Sequence, residues 1–456
     1  MSIASTREIL DLQVARLRPQ SRKLRAAEAA TGSIGGAPNA TFITASSPYN
    51  FRLLAVSAAG FCVFLSVYAT QSLLPLLARI FHASELHASL TVTATTLAVA
   101  LAAPAAGLLA ERIGRKTVIV SAIFLLAIPT FLASTAHSLN GLIGWRFAQG
   151  LIMPGIIAVT MAYVAEEWPA DHVATAMSAY VTGNVLAGVI GRFMTGWIAS
   201  HFGWNWSFLA LGVLDLIGGI IVWKGLPPSR QVVFRRSLGA SLRDMQQHLY
   251  NSGLVATFAV GFSILLVLVA TFTYVTYPLA ARPFNLGPVG LGSLFLVYLL
   301  GVVVTPIGGR LIDRYGHRRC LLIALAAAAA GLACTLVASL TAVVVGLALC
   351  SAAIFVCQAA TASYMGLIAG KARASAAGLY ASFYYLGGAA GAFLPGLFWH
   401  LGGWHATVGF LTGMLLLTAT IAATCWKQPG GSPQSSAIPV CTNRRSPSLA
   451  DGLRRE

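Results

Sequence analysis

A short polar segment between two long apolar runs decides the fold: Gly107-Leu-Leu-Ala-Glu111-Arg112-Ile-Gly114-Arg115-Lys116. Residues 306–318 contain a matching segment, which aligns with residues 104–116 at an offset of 202. A further alignment, at an offset of 200, relates residues 180–204 to residues 380–404. Two regions with nearly the same offset predict that the chain is a duplicated unit.

Outward from this segment, the chain is strongly apolar. Hydrophobic residues make up 57% of its 456 positions and charged residues only 9%, against roughly 25% charge in soluble proteins. The uncharged runs reach the roughly 20 residues that a helix needs to cross the hydrocarbon. They are continuous and lack the alternation of a β-barrel. We therefore predict an all-α polytopic membrane protein with twelve transmembrane helices, at 53–78, 89–110, 117–135, 141–165, 174–200, 206–223, 253–280, 288–312, 320–338, 341–369, 375–399 and 404–426.

The duplication divides these helices into two six-helix bundles related by pseudo-two-fold symmetry, an arrangement typical of transporters. We expect the first bundle at residues 52–223 and the second at residues 253–427, joined by a cytoplasmic loop at 224–252. The polar ends, 1–51 and 428–456, are predicted to be disordered cytoplasmic tails. The Arg-rich start is also compatible with an organelle transit peptide.

The basic residues predict the orientation. The net charge is +17, but it lies in short islands between apolar runs, which argues against nucleic-acid binding. Of the 30 Lys and Arg residues, 26 fall on the side of the two tails, and only Arg79 and Arg282 fall on the other. Basic residues are enriched in cytoplasmic loops. We therefore expect an inner-membrane protein with both termini in the cytoplasm.

Three charged residues lie well inside predicted spans: Arg146, Arg192 and Asp215. Each costs roughly 2.5–3.5 kcal/mol at a helix centre, so each is a functional hypothesis. Arg146 shares a helix face with Gln149, and Arg192 shares one with Asn184. Asp215 is interpreted either as half of an ion pair with a neighbouring Arg or as a group that binds and releases a proton. We favour the ion pair, and we take Arg146 as the coupling residue.

The polar segment itself predicts a contact between the two bundles. Gly107 and Gly114 permit close approach and a tight turn, and the basic side chains Arg112, Arg115 and Lys116 hold the loop outside the hydrocarbon. Glu111 is interpreted either as a local ion-pair partner or as a latch, a carboxylate that faces a helix N-terminus of the other bundle. Asp313 and Arg314 occupy the corresponding positions of the repeat.

The motif at 107–116 resembles the cytoplasmic loop motif of the major facilitator superfamily, with Glu111 where the family usually has Asp. Residues 142–150 resemble the family motif whose arginine, here Arg146, is linked to proton coupling. Residues 183–192 are similar to the antiporter motif, although Arg192 replaces a glycine. Residues 381–388 and 396–400 are similar to arabinose-efflux-permease-like members. The resemblance covers about residues 50–427.

This resemblance implies a monomeric transporter without a cofactor, which moves a small organic compound by alternating access and is coupled to protons. We expect export of a drug, sugar or metabolite, with uptake of an organic anion at Arg146 and Arg192 as the alternative. A polytopic membrane enzyme is disfavoured, because no nucleophile, metal-ligand set or acid pair converges within the spans. The helices implied to line the cavity are the first, fourth, fifth, seventh, tenth and eleventh. The candidate cavity residues are Arg146, Gln149, Arg192, Asn184, Gln71 and Tyr384.

Overall fold

The structure is a computed structural model that describes residues 48–169, 172–229, 248–369 and 373–426. The predicted disordered tails, apart from residues 48–51, and most of the predicted central loop lie outside the described residues. The first helix begins at Tyr49, inside the predicted N-terminal tail. The described part is built from α-helices with short 3₁₀ stretches. Eleven continuous helical stretches in it are long and apolar enough to cross a membrane. The last of them holds two helices, because Gly402 and Gly403 have non-helical backbone angles.

The prediction of twelve spans is therefore confirmed. The helices are α1 Tyr49–Ile80, α2 Glu85–Ile113, α3 Arg115–Ser134, α4 Leu139–Glu167, α5 Val173–His201, α6 Trp204–Gly225, α7 Ser252–Ala280, α8 Pro288–Tyr315, α9 His317–Cys334, α10 Leu340–Ile368, α11 373–401 and α12 404–425.

Local sequence signals set several helix ends. Ser84 and Ser138 cap α2 and α4, since each hydroxyl accepts a hydrogen bond from the backbone N–H three residues later. The Asn251 side chain caps α7 in the same way. Such caps satisfy backbone donors that a helix leaves free at its start. The turns after α2 and α8 use Gly114 and Gly316, whose φ values are 91° and 86°, a region that glycine adopts at low cost.

Four spans are interrupted within the bundle. In α1 the regular helix ends at Val67, and Ala69–Leu73 is a 3₁₀ stretch. In α8 the stretch Leu294–Leu299 is also 3₁₀. In α4 the helix is interrupted at Met153, immediately before Pro154, which has no backbone N–H to donate. In α7 the interruption is at Val275. These breaks expose backbone groups inside the protein, where they need partners.

Glycines bring helices together in the same way in both halves. A Cβ placed on Gly191 of α5 would lie 2.4 Å from the carbonyl oxygen of Leu65 on α1. A Cβ on Gly391 of α11 would lie 2.3 Å from the carbonyl oxygen of Leu266 on α7. Small residues allow this backbone approach between membrane helices. The repeat read from the sequence is thus present in the packing.

The two halves contact each other at the helix ends remote from the loop motif, which we call the far end. The Tyr277 hydroxyl on α7 donates to the carbonyl oxygen of Glu85 on α2 (3.0 Å), and the hydroxyls of Ser89 and Tyr274 lie 3.1 Å apart. On the other side of the molecule, a Cβ on Gly196 of α5 would lie 2.2 Å from the carbonyl oxygen of Pro288 on α8. These contacts close the far end.

The opposite helix ends, next to residues 107–116 and 306–318, are called the motif end, and there the arrangement differs. Side chains added at Gly107 or Gly309 would meet no atom within 4 Å. The side chains of Glu111 and Asp313 are exposed, and Glu111 makes no hydrogen bond or ion pair with any described residue. Glu111 and Asp313 belong to α2 and α8, helices that contact the other half at their far ends. The structure is therefore closed at the far end and open at the motif end.

Candidate functional site

Arg146 lies wholly inside the first half and is fully buried. Its guanidinium donates to the carbonyl oxygens of Ser66 (2.8 Å), Val67 (2.5 Å) and Thr91 (3.3 Å), and to the side-chain oxygen of Gln149 (2.5 Å). Ser66 and Val67 are the last residues of the regular helix in α1, where carbonyl groups lack intrahelical donors. Arg146 thus stabilises the break in α1.

A chain of hydrogen bonds leads from Arg146 to Asp215. The Gln149 side chain, which accepts from Arg146, donates to the Thr130 hydroxyl (2.8 Å). That hydroxyl lies 3.4 Å from a carboxylate oxygen of Asp215 and 2.7 Å from the carbonyl oxygen of Leu126. Ser66 makes a second connection, because its hydroxyl lies 3.5 Å from the same carboxylate oxygen. The buried acid and the buried base therefore belong to one polar network.

The ion pair that we favoured for Asp215 is absent from the described residues. Arg115 forms a salt bridge with Glu166, at the motif end and remote from Asp215. Asp215 is fully buried, its hydrogen bonds are long for hydroxyl donors, and its other carboxylate oxygen has no partner in the described part of the chain. A buried carboxyl group held this loosely can change its protonation without first breaking an ion pair.

Arg192 on α5 occupies a different environment, between the two halves. Three aromatic rings surround its guanidinium carbon, at 4.5 Å (Phe295), 5.0 Å (Tyr68) and 5.3 Å (Tyr298) from their centroids, within the range of cation–π attraction. Its Nε donates to the Gln71 side chain at 2.9 Å. We call these five residues the Arg192 cluster.

The Arg192 cluster forms where two membrane helices are broken. Tyr68 immediately precedes the 3₁₀ stretch of α1, and Gln71 lies within it. Phe295 and Tyr298 lie in the 3₁₀ stretch of α8. The Gln71 amide also donates to the Thr273 hydroxyl of α7 (3.1 Å), so the cluster connects the halves. Discontinuous helices near the middle of the membrane are where transporters bind substrates and coupling ions.

The remaining candidate cavity residues are divided between the halves. The Asn184 amide, oriented as a donor, bonds the carbonyl oxygens of Gly60 (3.3 Å) and Tyr180 (3.1 Å), so it joins α5 to α1. Tyr384 on α11 stacks on Tyr380 and is partly exposed. Tyr384 therefore belongs to the second half, whereas Asn184 packs within the first half.

The loop motif contacts the end of α4 and the segment that follows α6. Arg115 pairs with Glu166, and the backbone N–H of Lys116 donates to the Ser229 hydroxyl at 3.0 Å. Arg112 is exposed. In the repeat, Arg314 lies 5.2 Å from the ring of Tyr315. Glu111 is exposed, and the latch stays a prediction for a state in which the motif end is closed.

Sequence reasoning missed Phe295 and Tyr298, because α8 was not among the helices implied to line the cavity. It also missed Thr130 and Ser66, which connect Arg146 to Asp215. One available signal was the run Phe295-Leu-Val-Tyr298, since side chains three residues apart point the same way in a 3₁₀ stretch. No local signal marks Thr130 or Ser66.

A helical membrane protein with two packed halves, interrupted spans and a polar site between them has the architecture of a secondary transporter. The chain matches the family model of the Major Facilitator Superfamily at residues 56–277 and 263–440. This chain belongs to the Major Facilitator Superfamily.

Several relatives are similar over most of their length. The inner membrane transport protein YnfM of Escherichia coli (strain K12) is 33% identical over 387 residues, which cover 83% of this chain and 92% of that protein. The uncharacterized MFS-type transporter YybF of Bacillus subtilis (strain 168) is 31% identical over 380 residues, covering 83% of this chain and 94% of the relative.

Among solved structures, the chain is similar in fold to a bacterial homologue of the human lysosomal transporter Spinster, in an inward-facing and unoccupied conformation. The TM-score is 0.65 with 16% sequence identity, and the match covers 83% of this chain and 96% of the other. The family expected from the loop motif is confirmed.

Proposed function

We propose that the protein exports a small organic compound in exchange for protons, by alternating access between two six-helix halves. The observation that carries the proposal is the asymmetry of the contacts between the halves, which meet at the far end and separate at the motif end. Such a molecule exposes a central site to one side at a time if the contacts exchange ends. The Arg192 cluster lies at the boundary, where both halves contribute side chains.

The buried polar network supports proton coupling. Asp215 lacks an ion-pair partner among the described residues, and it connects through Thr130 and Gln149 to Arg146, the residue that resembles the family's coupling arginine. Arg146 in turn bonds the carbonyl groups at the break of α1. A proton gained or lost at Asp215 would change hydrogen bonds that hold this break. Asp215 is thus the proton-binding group in the proposal.

Two distant relatives support the outward direction of transport. A putative multidrug resistance protein, MdtD of Pectobacterium carotovorum, is 27% identical over 182 residues, 40% of this chain and 39% of that protein. The fatty acid resistance protein FarB of Neisseria gonorrhoeae is 27% identical over 170 residues, 37% of this chain and 34% of that protein. Resistance by a transporter is achieved by export.

The experiment is transport by the purified protein in vesicles, with and without an imposed pH gradient. The solutes tested include cationic dyes, sugars and aromatic carboxylates. We expect at least one solute to accumulate against its concentration gradient only when the pH gradient is present, and to be accompanied by proton movement in the opposite direction. Equilibration that is indifferent to the pH gradient would contradict proton coupling.

We further propose an inner-membrane orientation with both termini and residues 224–252 in the cytoplasm, on the distribution of basic residues. The motif end then faces the cytoplasm, and the structure is open to the inside. Fusions of a periplasmic phosphatase at residues 230 and 282 test this orientation. Activity is expected only at 282, and an active enzyme at 230 would overturn it.

A further inference from the structure

We infer that Arg192 binds the anionic group of the transported solute, which is an organic anion with an aromatic or other apolar body. This inference rests on the proposed transport function. It assigns the substrate site to the Arg192 cluster, and it excludes Arg146 from direct contact with the solute.

The charge balance of the interior favours an anionic ligand at Arg192. Its side chain is only 3% exposed, and no acidic residue in the described part of the chain pairs with it. Asp215, the single acid well inside a span, bonds Ser66 and Thr130 instead. A buried arginine without a counter-charge is costly. Its aromatic neighbours offset part of that cost, and an anion that enters the site would offset more.

The hydrogen bonds of Arg192 leave one of its terminal nitrogens available to bind such a ligand. Arg192 uses its Nε on Gln71 and its Nη1 on the carbonyl oxygen of Gly188. Its second terminal nitrogen, Nη2, makes no hydrogen bond to a described residue. The guanidinium has five N–H donors in a planar fork that suits carboxylate oxygens.

A second unused polar group lies beside the guanidinium. The Tyr68 hydroxyl is buried and has no hydrogen-bond partner among the described residues, and its ring lies under the Arg192 guanidinium. Buried hydroxyls almost always have partners. The free hydroxyl of Tyr68 can donate to a carboxylate held by Arg192, so both unused groups are satisfied by one ligand.

The surroundings of the cluster define the rest of the solute. The rings of Phe295, Tyr298 and Tyr68 surround the Arg192 guanidinium. The groups around the guanidinium are aromatic, and Arg192 is the charged residue of the cluster. A solute with a carboxylate at one end and an aromatic or aliphatic body matches this arrangement.

Arg146 does not offer the same site. It is fully buried, and its four hydrogen bonds all go to groups of the first half. An anion could reach it only if the carbonyl groups at the break of α1 were first released. The organic-anion alternative considered from the sequence, which used both arginines, is therefore narrowed to Arg192.

The test measures binding by the purified full-length protein in detergent, with no pH gradient. Benzoate, benzylamine and benzyl alcohol share a single benzene ring and differ in charge, and 2-naphthoate is a carboxylate with a second, fused ring. A ligand that binds the folded state raises the thermal unfolding midpoint in a saturable way. We expect a rise with the two carboxylates that exceeds any effect of benzylamine or benzyl alcohol. No rise with either carboxylate, or a larger rise with benzylamine, would overturn the inference.

Variants locate the site. In Arg192→Gln the shift caused by carboxylates should be lost, and in Arg192→Lys their Kd should rise at least about tenfold, because the fork is replaced by a point charge. Arg79→Gln removes an exposed arginine at the far end of α1 and should bind as the wild type does. If Arg192→Gln does not fold, Tyr68→Phe removes only the free hydroxyl, and it should weaken carboxylate binding severalfold.

The two proposals can fail separately. Carboxylate binding that depends on Arg192, in a protein whose transport ignores the pH gradient, would leave the site in place and remove proton coupling. The opposite result is gradient-driven transport of a cation or sugar, together with carboxylates that raise the unfolding midpoint of Arg192→Gln as much as that of the wild type. It would support proton coupling and remove the anion site at Arg192.

Discussion

The two buried arginines differ in how many of their donors are satisfied. Arg146 donates four hydrogen bonds within its own half, so its charge is stabilised by carbonyl dipoles and it holds the backbone of α1. Arg192 stabilises its charge with aromatic faces and keeps a terminal nitrogen unused. Both have a similar insertion cost, and from the sequence only the resemblance to a family motif assigned Arg146 to coupling. Only the packing separates a structural and coupling role from a binding role.

Asp215 and Arg146 should respond differently to neutralisation. Asp215→Asn keeps the size and the hydrogen bonds of the side chain but cannot bind and release a proton. We expect it to abolish transport driven by a pH gradient while solute exchange at equal pH continues. Arg146→Gln should lose both modes, because it removes the donor to the carbonyl oxygen of Val67 and one donor each to those of Ser66 and Thr91. A buried polar group that loses its partner costs about 1–3 kcal/mol.

Both variants are compared at equal membrane levels in vesicle assays of gradient-driven transport and of exchange. Thr130→Val provides an intermediate case, since it removes the hydroxyl between Gln149 and Asp215 and keeps both charged groups. In this variant the number of protons moved per solute should fall, whereas solute exchange at equal pH should continue. Gradient-driven transport that survives in Asp215→Asn would remove this residue from the coupling mechanism.

At the scale of helices, hydrophobic runs and charges were sufficient to predict the twelve spans and their duplication. The breaks in α1 and α8 were not predicted, because neither 3₁₀ stretch contains glycine or proline. Partners distant in sequence stabilise the break in α1: Arg146 bonds Ser66 and Val67, and the Thr195 hydroxyl bonds the carbonyl oxygen of Ala69. Tertiary contacts of this kind leave no local pattern, whereas the interruption of α4 lies at Pro154, which has no backbone N–H to donate.

The glycine contacts between helices give a prediction at this scale. Gly191→Val and Gly391→Val each place a Cβ within 2.4 Å of a backbone carbonyl oxygen on the facing helix. The helices must separate, and we expect a loss of at least about 1–3 kcal/mol of stability, the usual cost of overpacking. The measurement is the thermal unfolding midpoint in detergent. Gly413→Val on α12 is the matched control, because its Cβ would meet no atom within 4 Å. Equal midpoints in all three variants would contradict the role of these glycines.

For the whole molecule, the observed state is one of two that alternating access requires. The far end is closed by Leu86, whose Cβ would lie 3.0 Å from a Cβ at Gly396. In the other state the motif end should close, and Glu111 should approach the N-terminus of α11, around residues 372–378. The positive end of that helix dipole favours a carboxylate. The contact between Leu86 and Gly396 and the contact between Glu111 and α11 should therefore not exist at the same time.

Paired cysteines can test this exclusion in a protein whose own seven cysteines have been replaced. Leu86→Cys with Gly396→Cys should form a disulfide under mild oxidation, because the Cβ separation needs only a small adjustment to reach the usual 3.5–4.5 Å. This bond should stop transport, and a reductant should restore it. The single variants, which cannot crosslink, should transport before and after oxidation. Transport that continues through an intact far-end disulfide would contradict alternating access.

The second pair, Glu111→Cys with Ala377→Cys, would join the loop motif to α11, and both residues are exposed in the structure. We expect it to crosslink only in molecules whose motif end closes during turnover. When both pairs are present and the far-end disulfide forms first, the motif-end disulfide should not form, since one rigid half cannot rock against the other while its far end is held. Fragment masses after proteolysis distinguish the two bonds. Both disulfides in one molecule would show that the ends close independently, and the latch at Glu111 would then have no part in switching access.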